Sequence, residues 1–140
     1  EAIQVVWRSI SAGAFALLAF ISGISLVVGA IVIANIMLVS VVERTKEIGI
    51  RLAIGAKKRD IRRQFLLEAT LLALGGGAVG VLFGWVISSL INAYTPLPTL
   101  VTSTLVTTGL LLATLTGLLA GVFPAVKASR LPPIEALRYE

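Results

Sequence analysis

An all-α membrane protein is the fold class the sequence predicts: three transmembrane helices, with a short charged amphipathic helix between the first and second. Three observations predict it. The 140 residues are 57% hydrophobic and only 14% charged, where a soluble domain carries about a quarter charged residues. Two long stretches, residues 9–42 and 69–126, contain no charged side chain. Most of the charge is gathered between them, in "ERTKEIGIRLAIGAKKRDIRR", residues 43–63.

The first apolar stretch supports one span at about residues 14–42, since roughly 20 apolar residues cross the hydrocarbon core. Ser22, Ser25 and Gly29, then Ala30 and Ala34, form a loose set of small residues along it. Asn35 is its notable polar residue. An amide in hydrocarbon seeks a partner, so Asn35 is expected to join helices; a substrate contact is the alternative.

The charged segment sets the orientation. Arg44, Lys46, Arg51, Lys57, Lys58, Arg59, Arg62 and Arg63 oppose Glu43, Glu47 and Asp60, an excess of five positive charges. Short loops rich in Lys and Arg stay in the cytoplasm. Segment 43–63 and the tail carrying Lys127, Arg130 and Arg138 are therefore expected inside, with the N-terminus outside. An external N-terminus without a signal sequence implies an earlier span and an external segment upstream of Glu1.

Within this segment, Ile48, Ile50, Leu52 and Ile54 alternate with other residues. Alternation alone reads as a strand, but a lone strand between two membrane helices has no pairing partner. The expectation is a helix over about residues 43–56, with Ile48 and Leu52 on one apolar edge and Ile50 and Ile54 on another. Glu47 and Arg51 form an i,i+4 pair of favourable polarity. Gly55 can close the helix in a left-handed cap. A charged helix with a second apolar edge points to a docking surface for a cytoplasmic protein.

From Lys57 onward the pattern is an amphipathic helix, with Ile61, Phe65 and Leu72 on one face and basic side chains able to reach lipid phosphates. Glu68 is read as an interfacial carboxylate among bases. The second span is placed at about residues 69–91 and the third at about 105–126. Trp85 and Tyr94 lie near the outer end of the second, as interfacial aromatics do. The uncharged "NAYTPLPTLVTS" between them is a loop, residues 92–104 being external, because Pro96 and Pro98 each lack an N–H and restrict the preceding residue.

Both later spans carry small residues four apart: Gly76, Gly80, Gly84 and Ser88 in one, and Gly109, Ala113, Gly117, Gly121 and Ala125 in the other. Such residues share a helix face and allow close helix–helix approach, within one chain or between chains. Pro124 is expected to limit the end of the third span. Pro132 and Pro133 break the tail (residues 127–140), and Pro133 can open a short helix, "PIEALRYE", which carries Ile134, Leu137 and Arg138.

Several chemistries are excluded. With no cysteine and no histidine there is no disulfide, no imidazole base and no thiol nucleophile. "GGGAVG" lies in a span and "GAKKRD" has the wrong spacing, so neither is a phosphate loop. The chain is therefore expected to have no catalytic residue, metal ligand or cofactor of its own, and to bind no nucleic acid. No charged residue lies mid-span, which argues against an ion-coupled transporter.

"NIMLVSVVERTKEIGIRLAIGAKKRDIRRQFLLEA", residues 35–69, resembles the signature of the macrolide-exporter and FtsX-like family of ABC transporter permeases. "FPAVKASRLPPIEALRYE", residues 123–140, resembles that family's C-terminal signature. The resemblance implies a permease of four spans with a large extracytoplasmic domain after the first, of which this chain holds spans two to four. It implies that the charged segment is a coupling helix resting on an ATP-binding cassette, subunit or fused domain, which binds ATP and magnesium. On this sequence the contact residues would be Arg44, Glu47, Ile48, Arg51, Leu52 and Gly55. A second permease copy or homologue, an extracytoplasmic adaptor and the bilayer of the bacterial inner membrane are the other implied partners. Gly76, Gly80, Gly84, Gly117, Gly121 and Asn35 are the expected helix-packing residues. Two other readings stay open: an FtsX-like regulator of an external hydrolase, and a structural dimerising anchor.

Overall fold

The structure, a computed structural model, describes residues 2–95, 99–132 and 136. The described residues are helical, in the order α1 (Ala2–Glu43), α2 (Thr45–Ala53), α3 (Lys58–Tyr94) and α4 (Ser103–Ser129). Three of these are long and apolar enough to cross a membrane, and α2 is the short helix between the first and second.

The helices run past the stretches expected from hydropathy. At about 1.5 Å per residue, α1, with 42 residues, is roughly 63 Å long, about twice the hydrocarbon thickness. The amphipathic segment after Lys57 and the second span form one helix, because nothing between Lys58 and Tyr94 breaks it; Gly75, Gly76 and Gly77 lower helix propensity without interrupting the backbone ladder. Pro124 does not end α4, contrary to expectation: the helix continues to Ser129, and the proline ring is fully buried. A proline removes one hydrogen bond, here the one Ala120 would have received, while the turns on either side hold the helix. Termination comes at Arg130, ahead of the Leu131-Pro132 pair that restricts the backbone. The expected tail helix from Pro133, with Ile134, Leu137 and Arg138, lies outside the described residues.

α3 and α4 form the closest pair. Gly77 meets Ala113, Ala73 meets Gly117 and Ala69 meets Gly121, an antiparallel seam. At one end of the pair Asn92 closes the connection: its Nδ2 donates to the Thr99 carbonyl at 2.6 Å, and the Thr99 N–H donates to Asn92 Oδ1 at 2.8 Å. The Thr99 hydroxyl adds a bond to the Ser88 carbonyl at 3.0 Å. One side chain thus replaces a strand-like pair of backbone bonds across the loop.

The core lies at the opposite end, hereafter the base. Met37 and Val41 of α1, Ile48 of α2, Ile61, Phe65 and Ala69 of α3, and Ala125 and Ala128 of α4 form one buried cluster. Every helix contributes to it. Above the base α1 departs from the α3/α4 pair, leaving a groove of about 750 Å³ walled by Ser22, Ser25 and Gly29 on one side and Gly76, Gly77 and Gly80 on the other.

Candidate functional site

The candidate site is α2 and its supports. Glu43, Arg44 and Thr45 carry the chain from α1 into α2 with backbone bonds of helical spacing, Arg44 N–H to Ser40 carbonyl at 3.0 Å and Ile48 N–H to Arg44 carbonyl at 2.9 Å. Thr45 is buried, and its hydroxyl donates to the Val41 carbonyl at 2.9 Å. At the far end Gly55 takes φ +99°. Its N–H donates to the Leu52 carbonyl at 3.2 Å and the Ala56 N–H to the Arg51 carbonyl at 2.9 Å, the bond pair of a Schellman cap, which favours glycine. The chain then reverses into α3.

α2 has two unlike faces. Thr45, Ile48, Gly49 and Leu52 turn inward. Ile48 is only 3% exposed, and Leu52 packs against the same cluster. Gly49 lies under Ala136 of the tail: a Cβ built on it would stand 2.5 Å from the Ala136 Cβ. Outward stand Lys46, Glu47, Ile50, Ala53 and Ile54, with Ile50 46% and Ile54 81% exposed. The spacing of three and four puts the inner set on one side and the outer set on the other.

Within this chain, Ile48 is buried in the core and Leu52 packs against it. The sequence pattern allowed either apolar edge to face a partner. Tertiary packing assigns the 48/52 edge to the chain's own core, because Met37, Val41, Ile61 and Phe65 need a cover at the base. The edge left exposed is Ile50 and Ile54.

The charged residues of the segment also have internal duties. Arg44 Nη1 pairs with Glu68 Oε2 of α3 at 3.2 Å. Arg51 pairs with Glu47 and donates through Nη1 to Gln64 Oε1 of α3 at 2.8 Å. Glu68 is thus a partner of Arg44. These ties are partly solvated, so each stabilises by about 0.2–1 kcal/mol at most. Their geometric effect is larger: they join the α2 segment at two points to α3, a helix 37 residues long.

The small residues divide unevenly. Gly117 and Gly121 of α4 are buried against α3, where a Cβ on Gly117 would stand 2.6 Å from the Ala73 Cβ and 2.9 Å from the Ala69 carbonyl oxygen. Their partners are not the Gly76, Gly80 and Gly84 row. A Cβ built on any of those three meets no atom within 4 Å among the described residues. The α3 row that receives α4 is Ala69, Ala73 and Gly77, and sequence reasoning missed it because alanines are less conspicuous than glycines. Asn35 is exposed on α1. Gly49 was also missed, although an isolated glycine inside a helix is itself a signal of close packing.

The described residues hold no group of three or more metal-ligating side chains. A family model described as "FtsX-like permease C-terminal" matches residues 19–133. The uncharacterized ABC transporter permease YknZ of Bacillus subtilis is 50% identical over 120 residues, covering 86% of this chain and 30% of that protein. A macrolide export ATP-binding/permease protein, MacB of Bdellovibrio bacteriovorus, is 50% identical over 138 residues, covering 99% of this chain and 21% of that protein. The MacB of Rhodopirellula baltica is 46% identical over 140 residues, covering 100% of this chain and 20% of that protein. The chain therefore spans between a fifth and a third of the length of these relatives.

Proposed function

The chain belongs to the FtsX-like permease family of ABC transporters, and on that basis we propose that it couples the movements of a cytoplasmic ATPase to export or to motion of an extracytoplasmic domain. The observation that carries the reading is the two-faced α2. Its inner face is fixed in the core by Ile48, and its outer face offers two exposed isoleucines among Lys46, Glu47 and Arg51. An exposed apolar edge on a charged helix, on the face turned away from the chain's own core, supports docking of a protein there.

In this reading the base faces the cytoplasm of a bacterial cell, as its excess of positive charge favours. The ATPase, separate or fused, holds ATP and magnesium and closes against the outer face of α2. Arg44–Glu68 and Arg51–Gln64 then pass the displacement to α3, and the α3/α4 seam moves as one body. The open row of Gly76, Gly80 and Gly84 is the close-approach face for a second permease copy. An extracytoplasmic adaptor or domain would receive the motion at the outer ends of the helices.

Cysteine cross-linking tests the reading, with no cysteine in this sequence to interfere. A cysteine at Ile54 should cross-link to the ATPase in membranes, in an ATP-dependent manner. A cysteine at Leu100, at the other end of the bundle, should not. Cross-linking at Leu100 and none at Ile54 would overturn the assignment.

A further inference from the structure

The cations beyond α2 are not used by the docking face or by the internal ties. Lys57, Lys58, Arg59, Arg62 and Arg63 are all exposed, and none forms an ion pair among the described residues. The two polar side chains of α3 next in line are already engaged, Gln64 by Arg51 and Glu68 by Arg44. α3 cannot turn to hide the arginines, because Ile61 and Phe65 lock its other face into the core.

Their placement along the helix identifies what they meet. Arg59, Arg63, Leu67 and Leu71 are successive i,i+4 positions of α3 and form one slowly turning row. Leu67 is 64% and Leu71 66% exposed, on the segment that crosses the membrane. An exposed leucine pair thus continues directly into an exposed arginine pair at the end of the span. A soluble protein docked on the arginines could not follow the row into the bilayer. A phospholipid matches both halves: acyl chains lie on Leu67 and Leu71, and the phosphate meets the guanidinium groups. Guanidinium is suited to this, being always charged and able to donate two parallel hydrogen bonds to one phosphate. The excess of positive charge favours a headgroup with net negative charge over a zwitterionic one.

We propose that Arg59 and Arg63, with Leu67 and Leu71, form a binding site for an anionic phospholipid in the leaflet at the base. The site holds the α3 entry at the membrane surface, independently of ATPase docking on α2.

Native mass spectrometry of the full-length permease, purified from vesicles of equal phosphatidylglycerol and phosphatidylcholine, tests this. The expected result is phosphatidylglycerol enriched on the wild-type protein. R59Q/R63Q should lose the enrichment, by about fivefold for each arginine removed, while R59K/R63K keeps most of it. Unchanged circular-dichroism melting in both variants separates lost binding from lost folding; if the Gln pair fails to fold, R63Q alone carries the comparison. Adding inorganic phosphate at millimolar concentration should leave the enrichment intact, as a site for lipid rather than free phosphate requires. Equal enrichment in wild type and R59Q/R63Q would overturn the proposal. So would displacement by phosphate alone, or loss of ATPase pull-down in R59Q/R63Q with lipid preference unchanged, which would assign the row to a protein partner.

Discussion

Gly117 of α4 lies so close to Ala73 of α3 that a Cβ added to it would stand 2.6 Å away, with the Thr70 Cα a further obstacle at 2.9 Å. The neighbours include backbone, which cannot yield by a rotamer change. The two helices are in contact because residue 117 has no side chain.

Gly117→Leu should therefore force α3 and α4 apart. Overpacking of this kind costs about 1–3 kcal/mol or more, and membrane abundance and thermal stability in detergent should fall together. Gly80→Leu adds its side chain to open space within the chain. It should leave the single-chain fold intact and weaken association of two permease copies, read by cross-linking in membranes. Equal loss of stability in both variants would contradict the assigned seam.

On α2, Ile48→Asp and Ile50→Asp should differ in kind. The first places a carboxylate in the core, where an unpaired charge costs several kcal/mol, and the protein should fail to accumulate. The second changes a residue 46% exposed. That variant should insert normally and lose ATPase pull-down, because truncating a buried interface anchor typically costs about 2 kcal/mol or more. Should Ile50→Asp retain full ATPase binding at matched abundance, the outer edge is not the docking surface.

The Arg44–Glu68 pair invites a charge-swap cycle. Arg44→Glu or Glu68→Arg alone should lower stability by about 0.2–1 kcal/mol, as expected for a partly exposed pair, and the double swap should recover most of it. The more telling measurement is coupling: each single swap should lower transport per ATP hydrolysed more than it lowers stability. Transport tracking stability in every variant would show that the tie is structural only.

Topology is checked with cysteines at exposed positions. Lys58 and Arg130 at the base should label only from the cytoplasm, and Leu100 only from outside. Ser129 is unsuitable because it is fully buried. Labelling of position 58 from outside would invert the orientation.

Hydropathy and charge alone determined the three long helices, the short helix between the first and second, and the gathering of positive charge at one end. Each of these is a property of a residue and its solvent, or of spacing along one helix, so it is legible in one dimension. Gly55 was legible for the same reason: a left-handed cap is a local backbone matter. Tertiary structure decided which faces are used. Gly76 and Gly77 are neighbours in sequence but lie about 100° apart around the helix, and of the two it is Gly77 that meets α4. Ile48 and Ile50 are likewise on different sides of α2, and their apolar character is the same. Ile48 is the inner one because the base of α1, α3 and α4 leaves an apolar surface that must be covered, and α2 covers it with that face. Which of two apolar edges is buried depends on where the other three helices stand, and this is set by contacts between residues distant in sequence.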